Sequence, residues 1–292
     1  CYGCPNESTV ATISKRFETG SVVSKIASDN NAMQTLHFID THSHLCDAAF
    51  EADLPAVLEH ADRSGVRAVV AVGEDLSDAR RNLALARRHP LIKPAMGLYP
   101  AILDLAQADA LIEFSRRHRQ HIVAIGEVGL DFWLARSESE REIQEEIFTR
   151  FIGLALELDL PLNVHSRSAG RHAIELLIEQ GARRVQLHAF DGKAGSARPA
   201  LKAGYFFSIP PSVVRSRQKQ KLVRQLPLSH LLLETDSPVL GPDAEQRNEP
   251  ANIVWAAEAV AQIKQIPMAQ VAAAAWRNSR RLYGDMRLGV ES

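Results

Sequence analysis

From Phe38 onward the chain alternates short apolar runs with longer amphipathic stretches. The runs fall at 38–44 (FIDTHSH), 68–73 (AVVAVG), 92–98 (IKPAMGL), 123–128 (VAIGEV), 161–165 (PLNVH), 185–190 (VQLHAF), 205–209 (YFFSI) and 231–236 (LLLETD). Helical periodicity fills the gaps: Leu54 to Ser64 before Gly65, Ser77 to Arg88 before Pro90, Asp104 to Arg119, Glu138 to Leu158, and AGRHAIELLIEQG closing at Gly181. SARPALKAG, the stretch from Arg215 to Leu226 and a last pair divided by Pro267 complete the series. Eight strand–helix units in about 250 residues are what a (β/α)8 TIM barrel needs, as a single α/β domain. An open doubly wound sheet also alternates, but it announces itself by a glycine-rich phosphate loop after the first strand, and none follows Phe38–His44.

The flanks read differently. Residues 1–35 are rich in Ser, Thr and Asn, mix Lys15, Arg16 and Lys25 with Glu7, Glu18 and Asp29, and lack a signal-peptide core. They are expected to be a flexible extension, with the hydrolase domain at 36–286, starting near Met33, and a tail at 287–292. Three cysteines, Cys1, Cys4 and Cys46, do not form a secreted disulfide framework, so a cytoplasmic protein is expected. No apolar run is long enough to span a bilayer. A formal net charge of -1 argues against gripping duplex nucleic acid over the whole surface, yet leaves open an enzyme that handles phosphates at a charged pocket. A monomer is the default.

Candidate chemistry collects at the ends of the runs, where a barrel builds its sites. In IDTHSHL, Asp40, His42 and His44 alternate and so share one face of a strand. Glu127, with Asp131 beyond it, follows the fourth run, His165 the fifth, His188 the sixth and Asp236 the eighth. A lone histidine after a strand is commonly a hydrogen-bonded core residue, and Asp236 before Ser-Pro could start a turn. Four histidines and two acids at five strand ends are harder to explain without metal. Six ligands with four nitrogens are too many for one tetrahedral ion. Two divalent ions (Zn, Mg or Mn) sharing a carboxylate would use them all, and Glu127, beside Gly126 and Gly129, is the expected bridge. Asp40 is expected behind the ligands, orienting a histidine or closing the barrel floor.

The D-x-H-x-H of the first run together with GEVGLDF, NVHSR, HAFDG, ETDSP and the closing NSRRLYG resembles the TatD family of metal-dependent deoxyribonucleases over about residues 38–285. The resemblance implies a TIM-barrel metallo-dependent hydrolase that cleaves phosphodiester bonds in DNA, often from 3′ ends. It implies that His42, His44 and Asp236 hold one ion, His165 and His188 the other, and that Glu127 is shared. Two departures stand out. Tyr99 occupies the histidine position of the family's G-x-H-P, offering a hydrogen bond without the charge of a protonated imidazole. Asp191 in HAFDG replaces the commoner serine-containing form.

The expected mechanism is in-line attack by a hydroxide formed between two cations, with Asp236 and Glu127 as the catalytic carboxylates. Arg167 is expected to clamp a phosphate, with Tyr99, Arg247 and Asn248 as further substrate contacts. Single-stranded DNA ends suit an inward-facing site better than a duplex, and Tyr99, Phe132, Trp133 and Phe190 lie near strand ends where a base could stack. The alternative is a barrel hydrolase acting on a small amide, lactone or phosphoester. Many such enzymes bridge their metals through a carboxylated lysine on strand 4, and 123–132 contains no lysine.

Overall fold

The computed structural model describes residues 36–286. The expected flexible extension, Cys1, Cys4, Met33 and the tail at 287–292 lie outside the described residues.

Eight parallel strands pair in chain order: β1 (Phe38–Ser43), β2 (Val66–Ala71), β3 (Ile92–Met96), β4 (Ala124–Gly129), β5 (Leu162–His165), β6 (Val185–Leu187), β7 (Phe206–Ile209) and β8 (Leu231–Leu233). The ends meet above β8, where the Asp236 amide donates to the His42 carbonyl and the His44 amide to the Ser237 carbonyl, each at 2.8 Å. The sheet is therefore a closed (β/α)8 barrel with no exposed edge. Among the described residues nine α-helices cover it: α1 (Leu54–Arg63), α2 (Leu76–Arg88), α3 (Leu105–Arg117), α4 (Glu138–Glu157), α5 (Gly170–Glu179), α6 (Arg198–Lys202), α7 (Arg217–Gln225), α8 (Ile253–Lys264) and α9 (Met268–Tyr283). None among the described residues is long and apolar enough to cross a membrane.

Local chemistry sets the boundaries. Asp75, Asp104 and Ser216 each accept a hydrogen bond from the amide three residues on, and Ser137 with Glu140 forms a reciprocal capping box. Asp104 and Leu158, expected inside helices, are caps: Asp104 is extended and turns its carboxylate to an orphan amide of the first turn, and Leu158 stays near helical geometry as the last turn closes. SARPALKAG yields only the five-residue α6. The break before Pro267 falls earlier than expected, at Gln265, whose left-handed backbone (φ 56°) ends α8.

Two apolar layers hold the barrel. Along β2 and its exit, Val69 and Ala71 join the large core under the helices, whereas Ala68, Val70 and Val72 point the other way, into the lumen. They pack there with Ile39, Ala95, Ala124, Phe206 and Leu232, and the end of α9 with Met286 beyond it plugs the bottom through Leu282, Tyr283 and Met286. Each buried Leu or Met of that plug contributes about 1.5–3 kcal/mol. Among the described residues that floor is closed, and the lumen opens at the strands' C-terminal ends.

Candidate metal centre

Above the floor the inward side chains climb in steps of two, the period of a strand. On β8 and its exit the order is Leu232, Glu234, Asp236, and on β5 it is Asn163, His165. On β6 and its exit it is Gln186, His188. Polar atoms of the middle layer satisfy one another. The Tyr283 hydroxyl donates to Gln186 Oε1 (2.5 Å), Ser208 Oγ to Glu234 Oε2 (2.6 Å) and the Ala189 amide to Glu234 Oε1 (2.8 Å). Glu127 breaks the spacing. The β4–β5 ladder runs irregularly between Ile125 and Val128, and the flanking glycines make room for it. A Cβ at Gly97 would stand 2.2 Å from the Glu127 carbonyl oxygen, and one at Gly126 would stand 2.6 Å from Asn163 Cβ. Three non-glycine residues with positive φ, Ser168 (57°), Ala189 (41°) and Asp236 (55°), follow β5, β6 and β8. Such strain persists where surrounding structure overrides it, and it gathers around functional sites.

The two oxygens of Glu127 divide the cluster. Oε2 lies 3.5 Å from His44 Nε2 and 3.9 Å from His42 Nε2. These nitrogens are 3.3 Å apart and stand 3.5 and 3.3 Å from Asp236 Oδ1. Oε1 lies 2.6 Å from His165 Nδ1 and 2.8 Å from His188 Nε2, which are 3.1 Å apart. The His42 and His188 rings stack at 3.9 Å, bringing the two sets side by side.

An oxygen stands behind each imidazole. His42 Nδ1 is 2.8 Å from Asn163 Oδ1. Asn163 spends its amide hydrogens on the Thr41 carbonyl and the Tyr283 hydroxyl, so its oxygen faces His42 and Nδ1 carries the proton. His165 Nε2 faces Asp131 Oδ2 at 3.1 Å. His44 Nδ1 has Glu74 Oε1 at 3.9 Å, and His188 Nδ1, buried without a hydrogen-bond partner, has Glu234 Oε2 at 4.0 Å. With the outer nitrogens of His42 and His165 protonated, their inner ones turn lone pairs on neighbouring imidazole nitrogens and carboxylates at 2.6–3.9 Å. That arrangement repels itself unless positive charge fills the gap, and it is the pattern by which outer oxygens fix histidine tautomers for metal. The residues fit divalent ions.

The proton equilibria carry the same demand. Burial disfavours charge on His42, yet the Asp236 contact and the fields of Glu127 and Asp236 push it up to about 10. Burial likewise opposes charge on His165, but Glu127 and Asp131 raise it to about 9. For Glu127 and Asp236 burial acts against ionisation, and the imidazoles overcome it, holding both well below the carboxylate range. His188, buried beside a charged His42, falls to about 4. In this pocket protons and metal ions compete for the same lone pairs.

Other residues singled out from the sequence divide. Tyr99 lies at the centre's edge, its hydroxyl 3.5 Å from Asp131 Oδ2 and its ring 5.2 Å from that of His165. Arg167 is exposed at the mouth and pairs with no carboxylate among the described residues. Arg247 is turned elsewhere, gripping Asp53 through both terminal nitrogens at 2.8 and 2.6 Å. Asn248 is fully buried, donates to the Thr235 and Val239 carbonyls at 2.7 Å each, and accepts from Asn252. Its hydrogen-bonding capacity is spent on shaping the β8 loop, which leaves nothing for a nucleotide. Asp40 accepts from the Thr235 amide (2.8 Å) and hydroxyl (2.5 Å), tying β1 to the β8 exit rather than reaching a ring nitrogen. Asp191 accepts from the Ser168 amide at 2.9 Å. Sequence reading missed Asn163, Glu234 and Glu74. The first two sit two residues before His165 and Asp236, so the strand period taken one step down would have found them. For Glu74 the sequence carries no such signal.

Comparison with known proteins identifies the family. The family model described as "TatD related DNase" matches residues 39–284. The human protein named deoxyribonuclease TATDN3 is 44% identical over 261 residues, covering 85% of this chain and 95% of that one. The metal-dependent hydrolase YabD of Bacillus subtilis is 33% identical over 253 residues, covering 84% and 98%. Among solved structures, the Escherichia coli TatD homologue YjjV superposes with a TM-score of 0.78 at 27% identity, covering 84% of this chain and 97% of that one. The chain belongs to the family of TatD-related DNases.

Proposed function

We propose that this protein is a metal-dependent deoxyribonuclease that hydrolyses phosphodiester bonds at single-stranded 3′ ends with two divalent ions. The observation that carries the reading is the division of the cluster by Glu127, with His42, His44 and Asp236 on the Oε2 side and His165 and His188 on the Oε1 side. Bound Zn2+, Mg2+ or Mn2+ would polarise the scissile phosphoryl oxygen and acidify the attacking water. The chain's own groups do the rest. Asp236, held ionised by the imidazoles beside it, orients the water for in-line attack and accepts its proton. Burial keeps the Tyr99 hydroxyl protonated, so it donates to a phosphate oxygen. Arg167, exposed and without an ion pair among the described residues, clamps a second phosphate. His42, Glu127 and His188 lie sunk below the rim, which suits a strand end better than a stiff duplex. A cytoplasmic address completes the proposal, in keeping with the buried, unpaired Cys46.

The test is cleavage of a 3′-labelled single-stranded oligonucleotide across a panel of metals, run beside a panel of lactones and amides. The expected result is metal-dependent shortening of the DNA, abolished in Glu127→Gln with an unchanged circular-dichroism spectrum. Turnover of a lactone with no DNA cleavage under any metal would overturn the reading, and full activity of Glu127→Gln would remove the bridge.

A further inference from the structure

The turn after β4 carries two aromatic residues with opposite fates. Phe132 packs against the core, with the Arg141 guanidinium 4.6 Å above its ring and His172 beside it. Trp133, the next residue, is 54% exposed. Leu134 beside it is 44% exposed, so the pocket's edge carries an apolar patch whose flat indole face is open to a partner.

Its setting is rigid. The Trp133 amide donates to Asp131 Oδ1 at 2.9 Å, while Asp131 Oδ2 faces His165 Nε2 at 3.1 Å. One carboxylate therefore fixes both a metal-centre imidazole and the turn that presents the indole. The Phe132 amide donates to the Arg167 carbonyl at 3.0 Å, locking the β4 and β5 loops together. The Arg167 guanidinium lies 5.1 Å from the indole centroid and forms no ion pair among the described residues, its charge being felt by Asp131 without direct contact. A flat π surface and an unpaired planar cation thus stand together at the mouth, one bonded turn from the centre. This combination suits a ligand with a flat ring and an anionic link, which describes one nucleotide of a strand.

We propose that Trp133 is a stacking platform for a nucleobase next to the phosphodiester held at the metal centre, with Arg167 gripping the adjoining phosphate. The proposal rests on the reading of the protein as a DNA hydrolase and names a base subsite for it. Every base has a π face, so the platform holds strands of any sequence in register.

Two measurements on the full chain test it. Binding of a hydrolysis-resistant phosphorothioate oligonucleotide is followed by tryptophan emission, and hydrolysis of the normal oligonucleotide gives kcat and KM. The wild type is expected to be quenched on binding, and Trp133→Phe to lose that quenching. Trp133→Ala should raise KM by about 5- to 150-fold, the range a lost base–aromatic stack produces, with Trp133→Phe in between. Metal content and kcat should change little. An oligonucleotide lacking the base at the stacked position, found by moving an abasic residue along its end, should bind wild type and Trp133→Ala equally. Unchanged KM in Trp133→Ala, or the same penalty at every abasic position, would overturn the platform while leaving the hydrolase reading intact. Quenching by oligonucleotide in a wild type that cleaves no DNA would support the platform and sink the reading.

Discussion

Replacing Asp131 by Asn changes one atom, yet should turn a histidine around. Asp131 Oδ1 accepts from the Trp133 and Leu134 amides at 2.9 and 3.1 Å. An asparagine keeps its carbonyl oxygen there, because otherwise its NH2 group would face those two part-buried amide donors. Its NH2 group then points at His165 Nε2, where Oδ2 now sits at 3.1 Å. Two donors cannot share that contact, so Nε2 gives up its hydrogen and Nδ1 takes it. Nδ1 is the nitrogen aimed at Glu127 Oε1, 2.6 Å away, and once protonated it has no lone pair for metal. The structure around the turn is spared, since its two amides keep their acceptor. The magnitude follows from one lost charge-assisted hydrogen bond, about 1.5–3 kcal/mol, or roughly 10- to 150-fold in affinity. That agrees with the 10–100-fold usually lost with an outer partner of a ligand histidine. The assay is chelator competition for the ion on the His165–His188 side, with denaturant unfolding as the control for folding. Asp131→Asn binding both ions within about twofold of wild type would refute the claim that Asp131 sets the tautomer of His165.

Two further outcomes follow from the same layers. Without metal, His42 and His165 titrate near about 10 and about 9, so both are charged at pH 7 and must lose protons when an ion binds. Affinity should therefore fall as pH drops below about 9, by up to about one decade per pH unit per displaced proton, with proton release visible as a buffer-dependent binding enthalpy. Affinity that is flat from pH 9 to 6 would contradict this. Tyr283→Phe strips the hydroxyl that donates to Gln186 and accepts from Asn163, leaving buried polar atoms unmet. It should cost about 1–3 kcal/mol of stability by denaturant titration, and also weaken metal binding through the Asn163–His42 contact. A variant as stable as wild type would show that the middle layer is not held from below.

What the sequence made legible, and what it hid, divides along one physical line. Strand and helix periods depend on residues a few positions apart, so all eight strands and the main helices could be read from local patterns. The period of two also brings His42 and His44 to one face, and places His165, His188 and Asp236 at strand ends. Arg247 and Asn248 went astray because their partners lie far off in sequence or in the backbone itself. Asp53 sits 194 positions from Arg247, and the carbonyls of Thr235 and Val239 carry no sequence signal at all.

Glu127 is the instructive case, since alternation alone would turn it away from the lumen. Between Ile125 and Val128 the ladder shifts, and room for that shift comes from Gly97 on the neighbouring strand as much as from Gly126. A glycine on the preceding strand's exit, at position 97 against 127, thus decides where a carboxylate points. Any larger residue at 97 would meet the Glu127 carbonyl oxygen and push β4 back, withdrawing the side chain that joins the two halves of the cluster. The bridge is therefore a property of three adjoining backbones, and only its acid is written at one position.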